Sequence, residues 1–197
     1  MKKNNQLEVM YVTPTGKDAN GNTINDNYIK TVDDVKRAFA NNKPMFIEFY
    51  ADWCGHCKTL SELWKDLIKN LEKNNKTSNM AIIAVEKHHH DNQHIKNIIS
   101  EASFNIDGYP TVGAIVFKND KPSFIPYNGG RTVNGMREFI QTNILSSSQS
   151  GGHKHRSNKH KTNKKHKSSH KKGKKHNRKT IKKHRKTTYR KTKHHRK

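Results

Sequence analysis

The sequence has only two cysteines, Cys54 and Cys57, among its 197 residues. Two cysteines are too few for a four-cysteine zinc site. A disulfide between residues this close in sequence would also be too local to stabilise a fold. A zinc site completed by histidines is the less favoured alternative. Two cysteines separated by two residues instead favour reversible dithiol–disulfide chemistry at the start of a helix.

Apolar residues are also scarce, at 30% of the chain, and the shortage is concentrated in one region. Residues 153–197 contain 17 Lys, 5 Arg and 9 His but no Asp or Glu. Such a segment cannot bury a core, and its charges repel one another, which predicts a disordered basic tail. The remaining residues are nearly neutral and numerous enough to form one core.

Four regions follow from the composition. We predict an N-terminal extension over residues 1–30 that includes a short first strand, a folded domain over 31–145, a flexible linker over 146–152 and the basic tail over 153–197. No run approaches the ~20 apolar residues of a membrane span, and no apolar segment follows the polar N-terminus as in a secretory signal. The expected location is therefore cytoplasmic, where lasting disulfides are rare and a close cysteine pair is catalytic or metal-binding.

Hydrophobic patterns predict five strands and four helices in the order β-α-β-α-β-α-β-β-α. The strands are expected at residues 7–12, 45–51, 80–86, 111–118 and 123–127. The helices are expected after a Thr31 cap, over 57–72, over 90–104 and after a Thr132 cap. This order predicts an α/β fold with a central mixed sheet, parallel in its core and antiparallel at one edge, and with helices on both faces.

The motif Trp53-Cys54-Gly55-His56-Cys57-Lys58 resembles the active site of thioredoxin-like domains of the protein disulfide isomerase type. The resemblance covers roughly residues 31–144 and rests also on residues 48–51, 109–111 and 127–132. It implies a thioredoxin fold, protein thiols and disulfides as substrates, and no cofactor besides a redox-active Cys54–Cys57 disulfide.

The two cysteines are expected to have different roles. Cys54 should lie in the first turn of a helix, where unpaired backbone N–H groups and the helix dipole lower a thiol pKa, so it is the predicted nucleophile. Cys57 lies about one turn further into the helix and is the predicted resolving thiol. His56, as an imidazolium, would stabilise the Cys54 thiolate; the alternative is a solvated histidine with no role.

Glu48 is a carboxylate in the middle of an apolar strand, and burial would raise its pKa. It matches the buried acid beneath the resolving cysteine of the family, which implies proton transfer at Cys57. The alternative is a strand-edge or salt-bridged glutamate. Two departures from the family pattern are Ala84, where a lysine often accompanies this acid, and Asp52, where a proline is usual.

The remaining predicted site residues come from the same resemblance. Pro110 matches a cis-proline that faces the disulfide, and Tyr109 and Gly55 complete the motif and the substrate groove. Trp53 is expected to line the substrate surface, with simple packing as the alternative. Arg131 matches an arginine that swings toward the resolving thiol and lowers its pKa, with a surface arginine as the alternative.

Histidines cluster at His88, His89, His90 and His94. The spacing of His90 and His94 suits a metal site on a helix, but no cysteine or acidic partner is in register. Solvated loop histidines are therefore favoured, and no metal site is predicted.

Two functions are compatible with these features. The first is an enzyme, a thiol–disulfide oxidoreductase acting on proteins. The second is a redox-silent binding or structural protein that associates with nucleic acid or another polyanion through its tail. The Lys-, Asn- and His-rich composition also resembles proteins of large DNA viruses, for which a virion location is the expectation.

Overall fold

The computed structural model describes residues 7–146. The predictions for the N-terminal residues 1–6, for the linker beyond Ser146 and for the basic tail therefore lie outside the described residues. The elements within them are β1 (Glu8–Val12), α1 (Val32–Ala40), β2 (Met45–Tyr50), α2 (Gly55–Glu72), β3 (Ala81–Glu86), α3 (Gln93–Glu101), β4 (Thr111–Lys118), β5 (Lys121–Pro126) and α4 (Val133–Ile140).

The strands form one five-stranded sheet in the order β1-β3-β2-β4-β5. Strand β3 pairs in parallel with both β1 and β2, whereas β4 pairs antiparallel with β2 and with β5. The predicted mixed sheet with an antiparallel edge is therefore confirmed. The short strand predicted in the N-terminal extension is β1, which lies at the other edge of the sheet.

Helices cover both faces of the sheet, as predicted. The core on one face joins α2 and α4 to alternate residues of the central strands, and the core on the other face joins α1 and α3 to the intervening residues. All six residues of β2 are buried. Phe46 of β2 stacks on Trp64 of α2, with ring centroids 5.2 Å apart, so the α2 face of β2 is the one that lies under the cysteines.

Thr31 caps α1 as predicted. Its hydroxyl accepts a hydrogen bond from the Asp34 backbone N–H, and the Asp34 carboxylate accepts one from the Thr31 N–H at 2.8 Å. This reciprocal pair satisfies two N–H groups that an isolated helix end would leave unpaired.

Three predicted starts were wrong by two or three residues, and α3 also ends at Glu101 rather than at residue 104. Helix α3 begins at Gln93 rather than at residue 90, because Glu86 caps a separate turn over Lys87–His89 and Asn92 then caps α3. Strand β5 begins at Lys121, two residues early, because the tight turn before it lets Lys118 pair with Lys121. Helix α2 begins at Gly55, two residues before the predicted start.

Strand β5 forms the free edge of the sheet beside β4. It contains Pro122 and Pro126, and the backbone N–H of Phe124 between them donates to the carbonyl oxygen of Ala102 at 3.1 Å. This bond ties β5 to the segment that follows α3.

Candidate active site

The junction between β2 and α2 brings the two thiols together. Cys54 is the N-cap of α2, and its sulfur accepts a hydrogen bond from the Cys57 backbone N–H at 3.4 Å. Both cysteines are free thiols. Cys54 is 8% exposed and Cys57 only 1%, so Cys54 is the sulfur that lies nearer to solvent.

Burial raises the pKa of the Cys54 thiol, but hydrogen bonds outweigh this effect. The donors are the Cys57 thiol and the backbone N–H groups of Cys57 and His56, and the positive charge of Arg131 acts in the same direction. The pKa of Cys54 consequently lies below its usual value. The backbone donors at the helix N-terminus are the cause expected from the sequence, and the Cys57 thiol is a larger one that the sequence did not indicate.

The pKa of Cys57 shifts the opposite way, to about 12. Burial is the largest cause, followed by the hydrogen bond that the Cys57 thiol donates to Cys54 and by the negative charges of Cys54 and Glu48. In the reduced state, therefore, Cys54 ionises first and Cys57 holds its proton. Two of these causes depend on a charged Cys54 sulfur and vanish when that sulfur forms a bond.

Glu48 lies on the α2 face of β2 and is 4% exposed. Burial, and next the charge of Asp18, raise its pKa from 4.5 to about 8. Within residues 7–146 no hydrogen bond or ion pair reaches its carboxyl group, which argues against the salt-bridged alternative. Its parallel neighbour on β3 is Ala84, so no lysine stands beside it on that strand.

A lysine approaches this region from a different element. Lys65 of α2 pairs with Asp18, Nζ to Oδ2 at 2.7 Å, and the Asp18 side chain is only 2% exposed. Asp18 also accepts hydrogen bonds from the backbone N–H groups of Asn20 and Asn22, both at 2.9 Å. Burial would raise the pKa of Asp18, but these donors lower it, so Asp18 is charged and acts on Glu48 as a nearby negative charge.

Tyr109 and Pro110 face the cysteines from the loop before β4. Their peptide bond is cis, the isomer that the resemblance implies. The Cys54 thiol donates to the Tyr109 carbonyl oxygen at 3.5 Å. Trp53 is 65% exposed and packs edge-to-face on the Tyr109 ring, with centroids 5.9 Å apart, so it forms part of the surface around Cys54.

Arg131 and Pro110 line a groove of about 330 Å³, together with Val112 and Met136. The Arg131 side chain is exposed, and its charge acts on Cys54. The role predicted for Arg131, at the resolving thiol, stays a prediction.

Gly55 and His56 form the first turn of α2 and are both exposed. The His56 ring makes no hydrogen bond to any residue between 7 and 146, whereas its backbone N–H donates toward Cys54. The described contribution of His56 therefore comes from its main chain.

The histidine cluster does not converge on one point. His90 bonds Tyr109 and Val85, His88 bonds Glu86, and His94 lies 3.6 Å from Asp33. No group of three or more His, Cys, Asp or Glu side chains in the described part of the chain is arranged to hold a metal ion. Across the same residues, no helix has the length and apolar character needed to cross a membrane.

Sequence reasoning missed two contacts around the site, the Asp18–Lys65 ion pair and the bond between His90 and Tyr109. The first joins a polar loop to a helix, and no pattern in the sequence signals it. For the bond between His90 and Tyr109, the sequence drew attention to His90 through the histidine cluster, but nothing in it indicated that Tyr109 is the partner.

A thiol pair at a helix N-terminus, a cis-proline in the loop before β4 and a sheet of this strand order together define a thioredoxin fold. The family model described as "Thioredoxin" matches residues 23–142, and the chain belongs to this family. Its thioredoxin domain is related to protein disulfide isomerases.

Two plant relatives illustrate this relationship. Protein disulfide-isomerase 2-3 of Arabidopsis thaliana is 34% identical over 107 residues, which are 54% of this chain and 21% of that protein. Protein disulfide isomerase-like 2-3 of Oryza sativa subsp. japonica is 36% identical over 93 residues, 47% of this chain and 18% of that protein. The chain thus matches about a fifth of the length of these relatives.

Among solved structures, the first thioredoxin domain of mouse Protein disulfide-isomerase A4 matches with a TM-score of 0.40 and 22% identity. That match covers 66% of this chain and 76% of the other.

Proposed function

We propose that the protein is a thiol–disulfide oxidoreductase that acts on protein substrates through Cys54 and Cys57. The observation that carries this proposal is the opposite shift of the two thiols, a lowered pKa at Cys54 and a raised pKa at Cys57. A pair of this kind provides one thiolate that attacks a substrate disulfide and a second, protonated thiol that later resolves the mixed disulfide.

In the reductive direction, the Cys54 thiolate attacks one sulfur of a substrate disulfide. A bond forms between Cys54 and that sulfur, the substrate disulfide breaks, and the second substrate sulfur leaves as a thiolate that takes up a proton. The backbone N–H donors at the start of α2 stabilise the attacking thiolate. Arg131 adds a positive charge on the solvent side.

Cys57 resolves the mixed disulfide. Bond formation removes the charge on Cys54, so the thiol pKa of Cys57 falls, and the ionised form of Glu48 then accepts its proton. The Cys57 thiolate then attacks the Cys54 sulfur. The Cys54–Cys57 disulfide forms, the bond to substrate breaks, and two electrons have passed from the protein dithiol to the substrate. Disulfide formation in a substrate is the same sequence in reverse.

Trapping of the mixed disulfide tests this proposal. A Cys57→Ser variant incubated with oxidised insulin is expected to accumulate a covalent complex at Cys54, because the resolving thiol is gone. Intact mass spectrometry under non-reducing conditions measures the complex. Cys54→Ser is the matched control and is expected to give none, because Cys57 is buried and holds its proton. Equal trapping in both variants contradicts the assigned order of the thiols.

A second candidate function is polyanion binding by residues 153–197. It is favoured by the 22 Lys and Arg residues of that segment, with no Asp or Glu among them. Such a segment binds nucleic acid by releasing counterions, without sequence preference. We propose on the same ground that the tail localises the domain on an anionic surface, in the cytoplasm or in a virion.

Removal of residues 153–197 is expected to lower affinity for double-stranded DNA by more than about tenfold at low salt, and to flatten its salt dependence. Fluorescence anisotropy over a salt series, with the full chain as reference, measures both quantities. An unchanged affinity eliminates the tail as a binding element.

A further inference from the structure

His90 lies between β3 and α3 and packs beside the active site. Its ring meets Phe49 of β2 edge-to-face at 5.2 Å between centroids, and the Tyr109 ring at 5.4 Å. The side chain is half-buried, and this burial lowers its pKa. A neutral imidazole can both donate and accept a hydrogen bond.

Both ring nitrogens of His90 have protein partners. Nε2 lies 3.1 Å from the Val85 carbonyl oxygen, and Nδ1 lies 3.0 Å from the Tyr109 hydroxyl. A carbonyl oxygen only accepts, so Nε2 carries the proton in the neutral ring and Nδ1 accepts from the tyrosine. The tautomer of His90 is thereby fixed, and Tyr109 is tied to the end of a buried strand.

The main chain of Tyr109 contacts the reactive sulfur of Cys54. Its carbonyl oxygen lies 3.5 Å from the Cys54 sulfur, and its ring supports the exposed Trp53. A chain of direct contacts therefore runs from the carbonyl end of β3, through His90 and Tyr109, to the surface on which a substrate disulfide meets Cys54.

We propose that His90 is a positioning residue: it holds Tyr109 in place and so sets the affinity of the site for protein disulfide substrates. This inference rests on the proposed oxidoreductase function. The hydrogen-bond donors that stabilise the Cys54 thiolate belong to α2 and not to the Tyr109 loop. Loss of the His90 bond therefore weakens substrate binding and leaves the reactivity of Cys54 unchanged.

Kinetics of insulin reduction, with the full chain and a small-molecule reductant, test the proposal. His90→Ala and Tyr109→Phe each break the bond, and each is expected to raise KM about three- to tenfold. Because both variants remove the same bond, the double variant is expected to raise KM no further than either single one. The rate of Cys54 alkylation by iodoacetamide is expected to stay within about twofold in all of them.

His94→Ala is the matched control, because it removes a histidine four residues further along the chain that contacts Asp33 rather than the site. His90→Asn keeps a hydrogen-bond acceptor for the tyrosine and is expected to restore part of the lost affinity. If His90→Ala does not fold, His90→Asn and Tyr109→Phe decide the question. An unchanged KM, additive effects or an equal fall in alkylation rate overturns the inference. If the wild-type chain shows no turnover, the proposed function is overturned as well.

Discussion

Replacement of Cys54 by serine is expected to reduce insulin-reducing activity by at least about 1,000-fold, because the step that forms the bond to substrate is lost. A serine hydroxyl at the start of α2 receives the same backbone donors but does not ionise near neutral pH. Cys57 cannot replace the missing nucleophile, because it is 1% exposed and its pKa is raised. Turnover measured by insulin turbidity checks the prediction.

Cys54→Ala serves as the companion variant, since it removes the sulfur without leaving a hydroxyl group. Both variants are expected to show the same residual rate and an unaltered circular dichroism spectrum. Because the chain has no third cysteine, Cys57 is the one thiol left that could account for residual activity. Activity within tenfold of wild type in either variant would falsify the assignment of Cys54 as nucleophile.

Replacement of Glu48 by glutamine is expected to remove a large pH dependence of stability. Glu48 has a pKa of about 8 in the folded protein against 4.5 for an ordinary glutamate. Between these values the folded protein binds more protons than the unfolded chain, so the free energy of unfolding falls as pH rises from about 4.5 to 8. The glutamine variant carries no charge and does not incur this loss, whose size is on the order of 3–5 kcal/mol.

Chemical denaturation at pH 5 and pH 9 measures the effect. At pH 5 the variant and the wild type are expected to be similarly stable, and at pH 9 the variant is expected to be the more stable protein. The difference between the two proteins isolates Glu48 from other groups that titrate in this range, such as His90. Glu101→Gln, at an exposed position on α3, is the control, and its stability relative to wild type is expected to be the same at both pH values. A constant difference across pH refutes an uncharged, buried Glu48.

Most of the fold could be predicted from the sequence because its signals are local and periodic. Apolar runs of strand length identified β2 and β3, and the Thr31 cap marked the start of α1. The same reasoning placed Glu48 on a buried face, since alternate residues of a strand share a face. The motif around Cys54 identified the chemistry because its spacing is itself local.

What could not be predicted depends on contacts between distant segments. Asp18 pairs with a lysine 47 positions away, and His90 bonds a tyrosine 19 positions away. Neither pairing produces a periodic pattern in the sequence, because each depends on how a loop packs against the folded sheet. The late start of α3 was not predicted for a related reason: Glu86 caps a separate short turn and Asn92 caps α3, where one longer helix was expected.

The free edge of β5 has a consequence for self-association. Backbone N–H groups alternate sides along a strand, and the Phe124 N–H points away from β4 to Ala102. The outward positions on either side of it are Pro122 and Pro126, which have no N–H. This border of the sheet therefore offers carbonyl acceptors but no unused N–H donor, which disfavours a regular ladder with a strand from another copy of the chain.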